Sequence, residues 1–231
     1  CIQNPMSKEA VGFSNGFEKS RTVVKVGSPA ELHRALERGA KAAVLQFPEQ
    51  KFPFCKLSLF GQSLALSAHV SKTRDALVKY RPNTAVKKIQ KIRNELCQHI
   101  ESLHSDADTK KAMIIIFDTM AKDLVMLRDS LPQYTLDKVG ILLVPNELIT
   151  PWHRDNEKET SGVTGLLRYV RTIQGPSTEL ALDKVGSGAV KLPNGAGVLL
   201  TTGPTGAWHR CPPPDEWAEH RIAFAVWLKP T

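Results

Sequence analysis

The sequence predicts an α+β fold in which helices from the N-terminal half cover a β-rich core formed by the C-terminal half. Two observations predict it. Apolar residues recur at helical spacing between residues 84 and 128, whereas residues 131–231 hold short apolar runs separated by glycine and proline. The 231 residues fit a single domain, in which residues 21–130 form a mainly helical part with short strands.

The first predicted elements are two short strands with a helix between them. The apolar runs at residues 21–26 and 42–47 predict the strands. Ser28-Pro29-Ala30-Glu31 has the pattern of a capping box with proline at the first helical position. The helix is expected to end near Gly39, because glycine tolerates the left-handed conformation that follows many helices.

Two longer helices are predicted next, over residues 84–103 and 108–128. The second carries an apolar stripe that should face the core: Met113, Phe117, Met120, Leu124 and Leu127.

Four strands are predicted in the C-terminal part, at residues 137–144, 165–173, 196–202 and 221–228. The last strand has one wholly apolar face, which we expect to press against the helices: Ile222, Phe224, Val226 and Leu228. Its other face presents an arginine beside small side chains and a tryptophan: Arg221, Ala223, Ala225 and Trp227.

Composition narrows the classes of partner. The net charge is +8, but aromatic residues make up only 6% and no zinc-finger spacing is present, so nucleic-acid binding is not expected. No apolar run approaches the length of a membrane span. The 4 cysteines are widely spaced, which predicts reduced thiols and a cytoplasmic location. A small molecule or a peptide is the expected substrate, and the oligomeric state is left open.

A metal site is predicted from three residues. His153 and Asp155 are two positions apart, so on a strand both side chains would point from the same face. His209 must come from another strand. Two histidines and one carboxylate on one face of a metal leave its remaining positions open, as in non-heme Fe(II) oxygenases. Residues 131–231 would then form a metal-binding core.

The order of these residues along the chain resembles that of a known protein family. His153 and Asp155 are followed by a glycine-led strand at residues 195–200, by His209, and by Arg221 on a closing apolar strand. This order resembles the Fe(II)/2-oxoglutarate-dependent dioxygenases of the double-stranded β-helix, or jelly-roll, fold. The resemblance covers roughly the C-terminal 90 residues.

That resemblance implies roles for the same residues. His153, Asp155 and His209 would hold Fe(II) as the catalytic centre, and Arg221 would bind the distal carboxylate of 2-oxoglutarate. Tyr169 or Thr172 would add a hydrogen bond to this cosubstrate.

Three segments, at residues 42–48, 167–179 and 209–213, also resemble a bacterial family catalogued as domain of unknown function eighteen twenty-six. That resemblance implies metal handling, or a role when zinc is scarce, but no reaction.

Two other interpretations stay open at this stage. Cys211 follows His209 by two residues, so it could complete a tetrahedral zinc site with the same three ligands in a protein that is not an enzyme. Alternatively, a barrel without metal could bind a small anion or a partner through Arg221.

Overall fold

The structure is a computed structural model that describes residues 22–47, 75–79, 94, 107–144, 151–155, 165–213 and 221–231. The helix predicted over residues 84–103 lies outside these residues except for Asn94, which is helical. The described elements are, in chain order, β1 (Val23–Val26), α1 (Glu31–Glu37), β2 (Ala42–Leu45), β3 (Asp75–Lys79), α2 (Ala107–Ser130), β4 (Tyr134–Val144), β5 (Leu167–Gln174), β6 (Glu179–Ala181), β7 (Val190–Lys191), β8 (Gly197–Thr201), β9 (Trp208–Arg210) and β10 (Arg221–Pro230).

The strands form two sheets whose order identifies the fold. A seven-stranded sheet has the order β1-β2-β8-β5-β10-β4-β3, and a three-stranded sheet has the order β7-β6-β9. An antiparallel bridge between His153 and His209 adds a fourth short segment beside β9. From β4 onward the chain passes repeatedly between the two sheets, so that β8-β5-β10-β4 faces β7-β6-β9 and the His153 segment. This is the strand order of a jelly roll. The α+β double-stranded β-helix predicted from the sequence is therefore confirmed.

The N-terminal strands are part of this core, and they do not merely accompany the helices. β1 pairs in parallel with β2, and β2 pairs antiparallel with β8, so the two strands extend the large sheet at one edge. β3, which the sequence pattern did not predict, extends the other edge by pairing with β4.

Helices cover the outer face of the large sheet. Leu124 and Leu127 of α2 are fully buried in one apolar cluster with residues of β10. That cluster contains the whole face predicted for the last strand: Ile222, Phe224, Val226 and Leu228. A second cluster lies between the sheets and contains Ala225 and Trp227 from the opposite face of β10, together with Leu180 of β6. The predicted division of β10 into two faces is confirmed.

The start of α1 differs from the prediction. The helix begins at Glu31, and no side chain caps it, because Ala30 occupies the N-cap position in a helical conformation. The Glu31 carboxylate accepts a hydrogen bond from the Gly27 N–H at 2.8 Å, one residue before the serine of the expected capping box. The predicted end is confirmed, since Gly39 follows the helix with φ +92°.

Among the described residues, no helix is both long enough and apolar enough to cross a membrane.

Candidate metal centre

Two histidines are brought together by backbone pairing. The N–H of His153 donates to the carbonyl of His209 at 3.1 Å, and the N–H of His209 donates back at 2.9 Å. In an antiparallel pair of this kind the two side chains project from the same face of the sheet. The imidazole centroids are accordingly 4.4 Å apart.

Each imidazole is oriented by a carbonyl two residues earlier in the chain. Nδ1 of His153 lies 2.9 Å from the carbonyl oxygen of Pro151, and Nδ1 of His209 lies 3.1 Å from that of Ala207. A carbonyl only accepts hydrogen bonds, so Nδ1 carries the proton in both rings. In a neutral ring, Nε2 then has the lone pair through which histidine binds a metal.

Asp155 completes the group. Its backbone carbonyl accepts a hydrogen bond from the Gly203 N–H at 2.9 Å, which ties this segment to the loop before β9. Its Oδ2 atom lies 3.6 Å from Nε2 of His209. One ligand atom from each of His153, Asp155 and His209 lies within 4.8 Å of the others. The structure therefore brings the three predicted ligands together.

The atoms of this group fit a divalent cation. Asp155 Oδ2 and His209 Nε2 are buried, and neither has a hydrogen-bond partner. An unsatisfied buried polar atom costs about 1–3 kcal/mol, so two adjacent ones need a compensating partner. Both atoms are lone-pair donors, so a cation satisfies them together. Two imidazoles and one carboxylate suit Fe(II) and other first-row metals.

The protonation states of Asp155 and His209 are also suited to metal binding. Burial raises the pKa of Asp155, but Arg168 and the two histidines outweigh it and hold that pKa below its ordinary value. Burial lowers the pKa of His209 to about 4, although Asp155 opposes the shift. At neutral pH the carboxylate is therefore ionised and the imidazole of His209 is neutral, and these are the forms that bind metals.

Cys211 does not join the metal ligands. Within the described part of the chain, the candidate metal group contains the two histidines and Asp155 only. The thiol of Cys211 instead contacts the guanidinium of Arg221, and burial raises its pKa even though Arg221 opposes the shift. The geometry therefore gives no support to a zinc site closed by Cys211.

Arg221 forms a second polar cluster at the start of β10. Its side chain is buried, and its Nε donates to the carbonyl of Pro176 at 3.0 Å. Its Nη2 donates to the hydroxyl of Thr172 at 2.8 Å and to that of Thr178 at 2.9 Å. Each hydroxyl accepts from the arginine, so its own proton remains available to an anion. Gly175, with φ +81°, allows this approach, since a Cβ there would lie 3.1 Å from Cα of Arg221.

The two clusters are adjacent along one segment of chain. Cys211, which contacts Arg221, comes two residues after His209, a spacing of roughly 7 Å along an extended chain. An anion at the threonine hydroxyls would therefore lie close to the metal group.

Tyr169 requires a correction. Its hydroxyl donates to Oδ2 of Asp123 on α2 at 2.7 Å, and its ring is fully buried in the cluster beneath the helices. Tyr169 and Thr172 are three residues apart on β5, so they lie on opposite faces of the sheet. Thr172 is beside Arg221, as expected, but Tyr169 faces away from both polar clusters and does not reach a ligand bound there.

Two residues of the site were not predicted. Arg168 of β5 donates from Nη1 to Oδ1 of Asp155. Its alternation with Thr172 along the strand was a signal that could have placed it on the inner face. Thr178 lies between β5 and β6, where the sequence offers no periodicity from which its orientation could be read.

Arginine–tryptophan pairs support the opposite side of the small sheet. The guanidinium of Arg154 lies 4.3 Å from the ring centroid of Trp208, and that of Arg210 lies 4.5 Å from the ring of Trp152. Each of these residues alternates with a metal-site histidine, so the pairs pack on the face away from the metal group.

No protein-family model and no curated protein matches the chain, so the resemblance to domain of unknown function eighteen twenty-six remains a prediction. Several solved structures show a low similarity. One is a prolyl hydroxylase from Trichoplax adhaerens in complex with a peptide of hypoxia inducible factor, with 11% identity over 93% of this chain and 92% of that chain and a TM-score of 0.42.

A second is a full-length Neurospora crassa protein in complex with alpha-KG and 5-formyluracil, with 11% identity, coverage of 90% of this chain and 84% of that chain, and a TM-score of 0.41. A third is the non-heme monooxygenase ThoJ in complex with nickel, with 12% identity, coverage of 68% and 74%, and a TM-score of 0.36. At these TM-scores the fold is assigned from the strand order of the chain itself.

Proposed function

We propose that this protein is an Fe(II)- and 2-oxoglutarate-dependent oxygenase that hydroxylates a small-molecule or peptide substrate. The observation that carries the proposal is the pair of buried, unpartnered donor atoms, Asp155 Oδ2 and His209 Nε2, on a jelly-roll scaffold. His153 adds the third donor of the group. Three ligands leave open positions on the metal for exogenous ligands.

The polar cluster at Arg221 fits the other end of the cosubstrate. A guanidinium with two hydroxyls matches a carboxylate in charge and in hydrogen-bonding capacity. Thr172 and Thr178 would each donate one hydrogen bond, and Arg221 would neutralise the charge.

Within this proposal the protein supplies placement. When bound, Fe(II) and 2-oxoglutarate, together with O₂, supply the oxidising chemistry. His153, Asp155 and His209 would hold the metal. The carbonyls of Pro151 and Ala207 fix the ring tautomers, and the apolar cluster between the sheets excludes water from behind the site.

Anaerobic loading with Fe(II), followed by exposure to O₂ and 2-oxoglutarate, tests the proposal. We expect succinate to form slowly even without the substrate, and His209→Ala to abolish this turnover. Stoichiometric zinc in the purified protein, with no succinate after exchange to iron, would point to a metal-binding protein that is not an oxygenase. Failure to bind any divalent metal would overturn the proposal altogether.

A substitution at Arg221 tests the cosubstrate. Charge-assisted hydrogen bonds contribute about 1.5–3 kcal/mol, so Arg221→Gln should raise the 2-oxoglutarate concentration needed for half-maximal succinate formation by roughly 10–100-fold. Metal affinity should stay near that of the wild type, because Arg221 makes no contact with the metal group. An unchanged 2-oxoglutarate requirement would remove Arg221 from the site.

A further inference from the structure

Arg168 lies on the inner face of the large sheet. It lies on β5 between two neighbouring strands, opposite Leu200 of β8 and Trp227 of β10. Its guanidinium carbon is 4.9 Å from the centroid of the Trp227 ring, and only 12% of its side chain is exposed. Stacking on an aromatic ring restricts the plane of the guanidinium.

Arg168 uses this position to engage one oxygen of a predicted metal ligand. Its Nη1 donates to Oδ1 of Asp155, and this oxygen is thereby committed to a charge-assisted hydrogen bond. The other oxygen, Oδ2, has no hydrogen-bond partner and lies 3.6 Å from Nε2 of His209. Of the two oxygens of Asp155, Oδ1 is therefore paired with the guanidinium of Arg168, whereas Oδ2 is free to bind a metal.

A carboxylate can bind a metal through one oxygen or through both. If both oxygens of Asp155 bound the metal, they would occupy two of its positions, and one fewer position would remain for other ligands. We propose that Arg168 is a positioning residue that keeps Asp155 a one-oxygen ligand and so reserves a coordination position for an exogenous ligand. This inference rests on the metal centre proposed above.

A general structural role for Arg168 makes a different prediction from this one. Loss of a partner that supports a metal ligand typically lowers metal affinity by about 10–100-fold whatever the mechanism. Only the specific role changes how many positions on the bound metal stay open. The number of open positions, and not affinity or activity, is therefore the decisive measurement.

The first experiment uses Mn(II) as the probe and counts exchangeable water on the bound ion by water-proton relaxation. The wild type should show about three exchangeable positions, as expected for a six-coordinate ion with three protein ligands. Arg168→Met, at saturating Mn(II), should show about two, because the freed Oδ1 can bind the metal. Arg168→Lys, which keeps a cationic donor, should restore the wild-type number.

Arg210→Met is the matched control. It removes the same side chain from a comparable contact, a 2.6 Å ion pair with Glu179, next to His209 in sequence but on the far face of β9. We expect it to keep the wild-type number of exchangeable positions. An equal loss in Arg210→Met and Arg168→Met would overturn the inference, and so would an unchanged number in Arg168→Met. Complete loss of Mn(II) binding in Arg168→Met alone would also overturn it, because the role would then be to form the site.

A second measurement needs no variant at Arg168, so it holds even if Arg168→Met fails to fold. Infrared difference spectra of the wild type with and without Mn(II) report how a carboxylate binds, and Asp155→Asn identifies the relevant bands. A wide separation of the two carboxylate stretches is expected for one-oxygen binding, and a narrow separation would overturn the inference. If the wild type binds no Mn(II) at all, the metal centre itself is refuted, which is a separate outcome.

Discussion

Two arginines of β5, three residues apart, pair with two aspartates on opposite faces of the same sheet, Asp123 buried and Asp155 partly buried. On the helix side, Arg171 donates to Oδ1 of Asp123 at 2.8 Å, and Tyr169 donates to Oδ2 at 2.7 Å. On the inner side, Arg168 donates to Oδ1 of Asp155, whose Oδ2 has no partner. The first carboxylate is fully satisfied within the protein and the second is half-satisfied.

The difference between the two carboxylates indicates which of them is available to bind a metal. Burial raises the pKa of Asp123 even though Arg171 and Tyr169 oppose the shift, which is the behaviour of a group enclosed in a core. The pKa of Asp155 is lowered instead, because Arg168, with the two histidines, outweighs the effect of burial. Both ion pairs are largely shielded from solvent, but only the Arg171–Asp123 pair joins distant parts of the chain, since Asp155 and Arg168 are 13 residues apart. Only the Asp155 carboxylate has an oxygen without a hydrogen-bond partner next to an imidazole nitrogen that also lacks one, and this makes it the candidate metal ligand.

The largest expected effect separates the two aspartates by metal affinity. Asp155→Ala removes one of three ligands, so Mn(II) or Fe(II) affinity should fall by at least about 100-fold, more than the loss of a supporting partner causes. Asp123→Ala leaves the metal group intact and should change affinity by no more than about twofold. Titration of both variants with Mn(II), monitored by electron paramagnetic resonance of the free ion, measures this. Equal losses would show that the two faces are not independent.

The next largest effect is on stability, and here Asp123→Ala should be more damaging than Asp155→Ala. Asp123→Ala leaves the guanidinium of Arg171 buried without its partner, which costs about 3–5 kcal/mol of unfolding free energy. For a chain of this size that corresponds to a fall in Tm of roughly 6–20 °C. Asp155→Ala should lower Tm of the metal-free protein less, because the guanidinium that it leaves unpaired, that of Arg168, is more exposed to solvent than that of Arg171. Thermal unfolding of both metal-free variants provides the comparison.

A control variant tests whether the stability lost in Asp123→Ala comes from the unpaired charge of Arg171. The triple variant Asp123→Leu, Tyr169→Phe, Arg171→Leu replaces the polar cluster with apolar groups of similar size, so it should regain most of the stability lost by Asp123→Ala. If the triple variant is no more stable than Asp123→Ala, the loss comes from packing and not from an unpaired charge.

The features that could be predicted from the sequence are those that depend on which face of a strand a residue occupies. Period-two alternation identified both faces of β10. The two-residue spacing of His153 and Asp155 predicted that their side chains lie near each other, and both belong to the candidate metal group. Alternation could also have excluded Tyr169 from the site, since it is three residues from Thr172 on β5 and an odd separation puts two residues on opposite faces. Applied along the whole strand, it would have found Arg168.

Other features depend on contacts between residues distant in the sequence. Cys211 has the spacing of a fourth ligand, but it packs against Arg221 instead, and this choice depends on where β10 lies relative to β9. The pairing of β2 with β8 joins segments far apart in the chain, such as Ala43 with Leu199. No local pattern predicts that the N-terminal strands complete the large sheet, because strand partners are selected by the folded chain.

The smallest effect is the contribution that Asp123 makes to the pH dependence of stability. Its pKa is raised in the folded protein above the ordinary carboxyl value of 3.8. The folded state therefore holds this proton more tightly than the unfolded state, and its contribution to stability is fully present below pH 3.8 and is lost as pH rises through the folded pKa. Asp123→Asn cannot titrate, so the stability of the wild type relative to this variant should fall as pH rises across that window. Urea unfolding at a series of pH values measures the difference. A difference that is constant, or that grows in favour of the wild type, would mean that Arg171 outweighs burial, and the contrast between the two faces of β5 would then rest on the unused oxygen of Asp155 alone.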